Sequence, residues 1–489
     1  MARGAAWMVL FRLFDRSIGI VSTTVLARLL VPADFGLVAM AMSVIAIIEL
    51  ATAFSFEVAL IQKSDPQREH FDTAWTLNVL LALGGAALTA ALAHPAAAFY
   101  GDPRLVAVMF AIGGAWLITG FENVGTVNFR REMNFSAEFR WMASKRVIGF
   151  VVTLVAAFTF RSYWALVIGT AAGRLAGVVL SYAMHPYRPR LSLSRARELF
   201  SFSGWLLANN LAGVLFGRLP HFFVGRVYGA QQLGAYTVGS EIAQLAHTEL
   251  VAPINRAMFP GYSRLVNDPP AFRRVCVDAT AAILLVVLPV SAAVAVLAAP
   301  MVRVLLGSQW QHAVPIIQIL AFAGALTALI SNNVSAYLAL GRPHLATLIF
   351  VARVVTFLAA IALLGTSRGF TAVAHAELMA TLCSLLVSLP ILFGALKLRV
   401  RDYLAILWRP LLASAAAYEV VRQLLMQIGT EGAFGEAVLQ LIAGTLAGAA
   451  VYGGGLWLLW AAAGRPATVE QMIARRAIDA LSSRRSRSA

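Results

Sequence analysis

Apolar segments of roughly 20 residues recur along the whole chain, and each is long enough to cross a hydrocarbon core of about 30 Å. The pattern predicts about 14 membrane-spanning helices, the first over residues 6–30 and the last over 434–461. Pro32 and Gly229 sit in two very short interruptions, so helices 1 and 2, and helices 7 and 8, are expected to form tight hairpins. The first hairpin lies in VLARLLVPADFGLVAM (25–40), the second in FVGRVYGAQQLGAYTV (223–238). At one constant offset Trp7 meets Trp205, Arg28 meets Arg226 and Gly36 meets Gly234. Weaker echoes follow in the same order, Pro95 with Pro300 and the Arg130 loop with Gly341-Arg342-Pro343. The chain therefore reads as a duplicated membrane half. The predicted fold class is an all-α integral membrane protein with two pseudo-symmetric six-helix lobes, 1–184 and 201–396. A basic cytoplasmic linker (185–200) joins them, and two additional helices (397–461) and a basic tail (462–489) follow.

Composition agrees with the pattern. The chain is 60% hydrophobic and 13% charged, with a mean hydropathy of +0.77. No soluble fold buries that fraction of apolar surface. The net charge of +16 would suit nucleic acid if it formed one patch. Instead the basic residues sit in alternate connections: Lys63 and Arg68; Arg130, Arg131, Arg140, Lys145 and Arg146; Arg188, Arg190, Arg195 and Arg197; then Arg264, Arg273 and Arg274; Arg342; Lys397, Arg399, Arg401 and Arg409; and the tail. Roughly 26 basic residues fall on that side and about four on the other, which places both termini in the cytoplasm. The segment 467–481 reads either as a helix with an apolar face towards lipid and arginines suited to anionic headgroups, or as a partly ordered solubilising tail. Cys276 and Cys383 both fall in apolar segments and offer no disulfide framework. The N-terminal segment lacks a cleavable signal pattern.

Chemistry is sought among charges inside the spans, where an ionised group usually faces the bundle interior or a water cavity. Helix 1 carries Arg12, Asp15 and Arg16. The two arginines share a face, and Asp15 is spaced to neutralise Arg12 in part. Arg218 lies near the repeat equivalent of this group, with His221 three residues on. Three such cations form a candidate diphosphate clamp, because Arg binds phosphate oxygens bidentately and stays charged when desolvated. Arg174 and Arg353 are further candidates for the cavity wall. Arg28 and Arg226 occupy equivalent outer helix ends and suit capping, anchoring or gating. The embedded acids Glu49, Glu57, Glu122, Glu241, Glu249 and Glu377, with Asp15, suit either charge pairing or proton or sodium coupling. Gly444 and Gly448 form a G-x-x-x-G that permits close helix packing. No Ser/His/Asp set, phosphate-cradling Gly-rich loop or His/Asp metal cluster is present, so neither catalysis, a metal nor a cofactor is expected.

Several runs resemble a known family. ARLLVPADFGLVAMA (27–41), VALIQKSD (58–65), FDTAWTLNVLLALG (71–84), WALVIGTAAGRLAG (164–177) and RELFSFSGWLLANNL (197–211) do so, and VGRVYGAQQLGAYTVG (224–239) with PINRAMFPGYSRL (253–265) most specifically. They resemble the polysaccharide transporter branch of the multidrug/oligosaccharidyl-lipid/polysaccharide exporter superfamily, the Wzx-type lipid-linked oligosaccharide flippases and exopolysaccharide exporters. The resemblance covers roughly residues 10–400 and departs at Pro220, which stands beside His221 in place of the family's usual Asp, and at SFEVAL (55–60), where the family is usually glycine-rich. It implies alternating access in a bacterial inner membrane, carrying an undecaprenyl-diphosphate-linked oligosaccharide from the cytoplasmic to the periplasmic leaflet. It also implies that Arg12, Arg16 and Arg218 hold the diphosphate. Candidate partners are the polyprenyl-diphosphate-linked glycan, membrane lipids, a polysaccharide polymerase and a chain-length regulator. Alternative readings are an ion-coupled multidrug antiporter of the same superfamily, a lipid II flippase and a non-transport scaffold.

Overall fold

A segment in lipid must satisfy its backbone hydrogen bonds internally, which selects helices for long apolar runs. The computed structural model describes residues 2–51, 56–63, 65–365, 369–428 and 434–465, with side chains described except at 2–6, 8, 9, 50, 51 and 200–216. Every regular element among them is helical. The expected helix over 467–481 lies outside the described residues. By packing, the chain forms two compact units, Met1–Thr237 with Leu305–Gln309, and Val238–Val304 with Trp310–Ala489.

In the first unit α1 (Ala2–Leu29) and α2 (Pro32–Ala51) form the expected hairpin. Proline opens α2, where its missing N–H costs nothing. The short α3 (Phe56–Gln62) leads to α4 (Arg68–Tyr100), which closes at Gly101, φ 71°, a left-handed cap that favours glycine. Next, α5 (Arg104–Thr119) breaks and resumes through a 3-10 turn as α6 (Val127–Arg131), bent by 63°. Asn123 holds the break. Its Oδ1 accepts from Gly125 N at 2.9 Å, and its Nδ2 donates to Tyr187 O at 2.8 Å. α7 (Phe135–Phe160) and α8 (Trp164–Met184) then pack along their length. Their closeness rests on glycine: a Cβ at Gly169 would meet Thr153 Oγ1 at 1.7 Å, and Gly149 and Gly173 face each other across the seam.

The basic linker lies along the N-terminal end of α4. Asp72 accepts from Tyr187 Oη at 2.5 Å and Arg190 N at 2.8 Å. Arg195 pairs with Glu69 at 3.1 Å, and Glu198 with Lys63 and His70. Burial, and then the Asp72 carboxylate, push the Tyr187 phenol up, so it remains the donor. The helix α9 (Ala196–Ala243) is continuous except at Gly229, where φ 79° and ψ −176° break it into two arms.

In the second unit a π-helical stretch, Ala246–Val251, passes into α10 (Ala252–Arg264). α11 (Pro269–Val296), α12 (Ala298–Leu305), α13 (Ala313–Ala339), α14 (Pro343–Leu364) and α15 (Thr371–Leu396) follow. α16 (Val400–Ile428) and α17 (Phe434–Ala462) complete the described chain. Uncharged hydrogen bonds knit the interior: Tyr262 Oη donates to Asn332 Oδ1 at 2.9 Å, Asn332 Nδ2 to Thr280 Oγ1 at 3.0 Å, and Asn333 Nδ2 to Ser388 Oγ at 3.0 Å. Gly444 packs on Leu297 and Val421, and Gly448 on Val421, so this G-x-x-x-G seats α17 within the unit.

Ten helices among the described residues are long and apolar enough to span a membrane, or eleven if the bent α5–α6 pair counts as one. That is below the expected 14. The shortfall falls where polar groups interrupt apolarity: α1 holds Arg12, Asp15 and Arg16, and α9 is kinked and polar around Gly229.

Candidate functional site

A cleft of about 350 Å³ opens in the first unit between α1, the end of α5, α7 and α8. Its walls carry Asp15, Glu122, Lys145, Arg146 and Arg174. Two neighbouring residues of α7 reach opposite ways. Arg146 Nε pairs with Asp15 Oδ1 of α1 at 2.8 Å, and Lys145 Nζ with Glu122 Oε1 at the α5 break at 3.3 Å. Lys145 is fixed further by the Trp141 ring, whose centroid lies 3.9 Å from Nζ. Trp141 Nε1 in turn donates to Gly177 O at 3.1 Å. Gly177 leaves the room: a Cβ there would stand 3.0 Å from Glu122 Oε1. Deeper on α8, Arg174 Nη2 pairs with Glu49 Oε1 of α2 at 3.4 Å.

These pairs redraw the charge map read from sequence. Asp15 is spaced to neutralise Arg12, but its carboxylate meets Arg146 of another helix. Lys145 and Arg146 belong to α7 and line the cleft rather than the connection that precedes it. Their sequence signal was their distance from the helix start. α7 begins at Phe135, so both lie well within the helix, about 15 Å along it at 1.5 Å per residue. The stripe Gly169, Gly173 and Gly177, spaced four apart, was likewise readable as a close-packing face.

The remaining candidates are dispersed. Arg12 is exposed and Arg16 half-buried on α1, beside the face on which Trp7, Phe11 and Phe14 surround Phe139. Arg218 is half-buried on α9, and His221 stands edge-on to Tyr236, ring centroids 5.5 Å apart. In the second unit Arg353 Nη2 meets Glu377 Oε1 at 3.5 Å. Glu241 is exposed on α9, and Glu249 is exposed in the π-helical stretch, where it accepts from Thr248 Oγ1 at 3.2 Å.

Arg28 and Arg226 are both exposed, and the Arg226 guanidinium lies 5.7 Å from the Phe99 ring centroid. Beside them α2 crosses the second arm of α9 at backbone contact. A Cβ at Gly36 would lie 1.7 Å from Ala230 O, and one at Gly234 1.8 Å from Pro32 O. Gln309 Nε2 caps the end of α1, donating to Ala27 O at 2.5 Å and Leu30 O at 3.0 Å. Among the described residues no group of three or more His, Cys, Asp or Glu could hold a metal ion.

Comparison with known proteins adds a sequence family and a fold. A family described as polysaccharide biosynthesis protein matches residues 25–315. The succinoglycan biosynthesis transport protein ExoT of Rhizobium meliloti (strain 1021) is 25% identical over 458 residues, 92% of each chain. The lipopolysaccharide biosynthesis protein WzxC of Escherichia coli (strain K12) is 22% identical over 422 residues, covering 83% of this chain and 84% of that one. The structure of the lipid II flippase MurJ in an inward closed conformation superposes with a TM-score of 0.73 at 14% identity, over 94% of this chain and 100% of that one. The last likeness is one of fold: both are all-α, multi-pass membrane proteins.

Proposed function

The chain belongs to the polysaccharide biosynthesis protein family, and on that premise we propose that it is a flippase for a lipid-linked oligosaccharide. The observation that carries this reading is the match over 92% of both chains to a succinoglycan transport protein, which leaves no large region of either chain unaccounted for. The cargo is a polyprenyl-diphosphate-linked glycan, carried from the cytoplasmic to the periplasmic leaflet of a bacterial inner membrane. Both termini are cytoplasmic, as the basic connections require. The protein acts as a transporter and not as an enzyme, and a polysaccharide polymerase and chain-length regulator take over its product.

Arg12, Arg16 and Arg218 hold the diphosphate. Guanidinium groups suit it because they keep their charge when water is withdrawn and offer paired donors to phosphate oxygens. Arg174 and Arg353 are engaged by Glu49 and Glu377 and fix the geometry of the wall. The ion pairs Asp15–Arg146 and Glu122–Lys145 bridge separate helices, so helix movement during the transport cycle must exchange their partners.

The test uses a deletion strain. Its polyprenyl-linked glycans are probed with a membrane-impermeant glycosidase on right-side-out and inverted vesicles. Glycan held on the cytoplasmic face, with surface polysaccharide lost and restored by the gene, is the expected outcome. Unchanged glycan on the outer face in a strain with no second flippase would overturn the proposal.

A further inference from the structure

A second cleft, of about 230 Å³, lies across the α5 break from the first. Glu57, Asn78, Trp116, Thr119 and Glu122 line it, and Thr119 and Glu122 line the charged cleft as well, so the two adjoin. Its chemistry is different. Thr119 Oγ1 donates to Trp116 O at 2.6 Å and Thr126 Oγ1 to Asn123 O at 2.9 Å, so both hydroxyls offer the cleft only lone pairs. Glu57 receives Arg130 on one oxygen at 3.4 Å, and Glu122 receives Lys145 on one oxygen at 3.3 Å. The second oxygen of each carboxylate carries no hydrogen bond among the described residues. The Asn78 side-chain amide, half-buried, makes none either. The wall is thus rich in acceptors, with one open amide that both gives and takes and an indole beside it.

Carboxylates alone would suit any cation, but the amide and the indole narrow the class. A sugar ring presents hydroxyl donors around its edge and C–H groups on its faces, which match carboxylate oxygens and an aromatic wall. An acidic sugar or a phosphate would bring further acceptor oxygens against the spare oxygens of Glu57 and Glu122, with no donor between them. The volume is below the roughly 300–1,000 Å³ of pockets that enclose drug-sized ligands, which limits the occupant to about one ring. We propose that this cleft is a subsite for one neutral sugar residue, with Asn78, Glu57 and Glu122 as its hydrogen-bonding partners and Trp116 as its apolar wall. The proposal rests on the glycan-transport reading above and adds to it a determinant of which glycan is accepted.

The experiment measures binding without transport. Full-length protein in nanodiscs is titrated with methyl glycosides of glucose, galactose, mannose and rhamnose, and with glucuronate, while tryptophan emission is followed. At least one neutral glycoside should give a saturable change that is lost in Trp116→Phe. Affinity should fall about tenfold or more in Asn78→Leu, a loss of about 1.4 kcal/mol, and be partly retained in Asn78→Gln. Glucuronate should give no saturable response. Matching thermal melting of the variants excludes misfolding as the cause. No saturable response to any neutral glycoside, an unchanged response in Asn78→Leu, or glucuronate binding as tightly would overturn the subsite. Because no lipid is moved, such a failure leaves the leaflet assay standing, and a failed leaflet assay leaves this titration interpretable.

Discussion

Arg12, Arg16 and Arg218 are the cations proposed above to meet the diphosphate. Arg146, Arg174 and Arg353 each meet a carboxylate of another helix at 2.8–3.5 Å, and their removal is expected to disturb the wall rather than the hold on the cargo. Arg16→Ala combined with Arg218→Ala should abolish export while membrane insertion persists. The Lys pair should retain part of the export, since an ammonium keeps the charge but loses the planar fork. Surface polysaccharide yield set against protein level in the membrane decides this. Glu122 and Lys145 carry a different expectation. Both are mostly withdrawn from solvent, with 26% and 32% of their side chains exposed, and removing one partner strands the other. Glu122→Gln or Lys145→Met alone should cost about 1–3 kcal/mol, and the double variant should recover part of the loss. Equal melting temperatures for the single and double variants would sink that coupling.

At the scale of elements, the crossing of α2 and α9 has the least tolerance in the described chain. A side chain at Gly36 or Gly234 would occupy the place of a backbone carbonyl oxygen, so no rotamer change relieves it. Gly36→Val should pry the helices apart, and a cysteine placed at Ala230 should then react with a maleimide markedly faster than in the parent. The hairpin of α1 and α2 and the breakers Pro32 and Gly229 were legible in the sequence, because proline and glycine act locally. The cleft was not. Which carboxylate meets which cation depends on helix neighbours far apart in sequence, as when Asp15 chooses Arg146 over Arg12 three residues away. The π-helical stretch at Ala246–Val251 and the docking of the linker on Asp72 were equally hidden. Neither has a local signal: one is a single inserted hydrogen-bond register, the other a tertiary contact between an acid at a helix start and a distant loop.

At the scale of the whole molecule, the alternation of basic connections makes a testable topology. Green fluorescent protein fused after Gly464 should fluoresce, and alkaline phosphatase at the same point should be inactive. At Asp102, between α4 and α5, the activities should reverse. A phosphatase signal after Gly464 would invert the topology. The Gly36–Gly234 crossing carries a further consequence. Gly36 rests on the carbonyl of Ala230 and Gly234 on that of Pro32, and the repeat makes Pro32 equivalent to Ala230 as well as Gly36 to Gly234. The contact is therefore self-matching: each partner presents the surface that it receives, as at the interface of a two-fold homodimer. One steric requirement is thus written in two codons, each free to mutate and neither able to excuse the other.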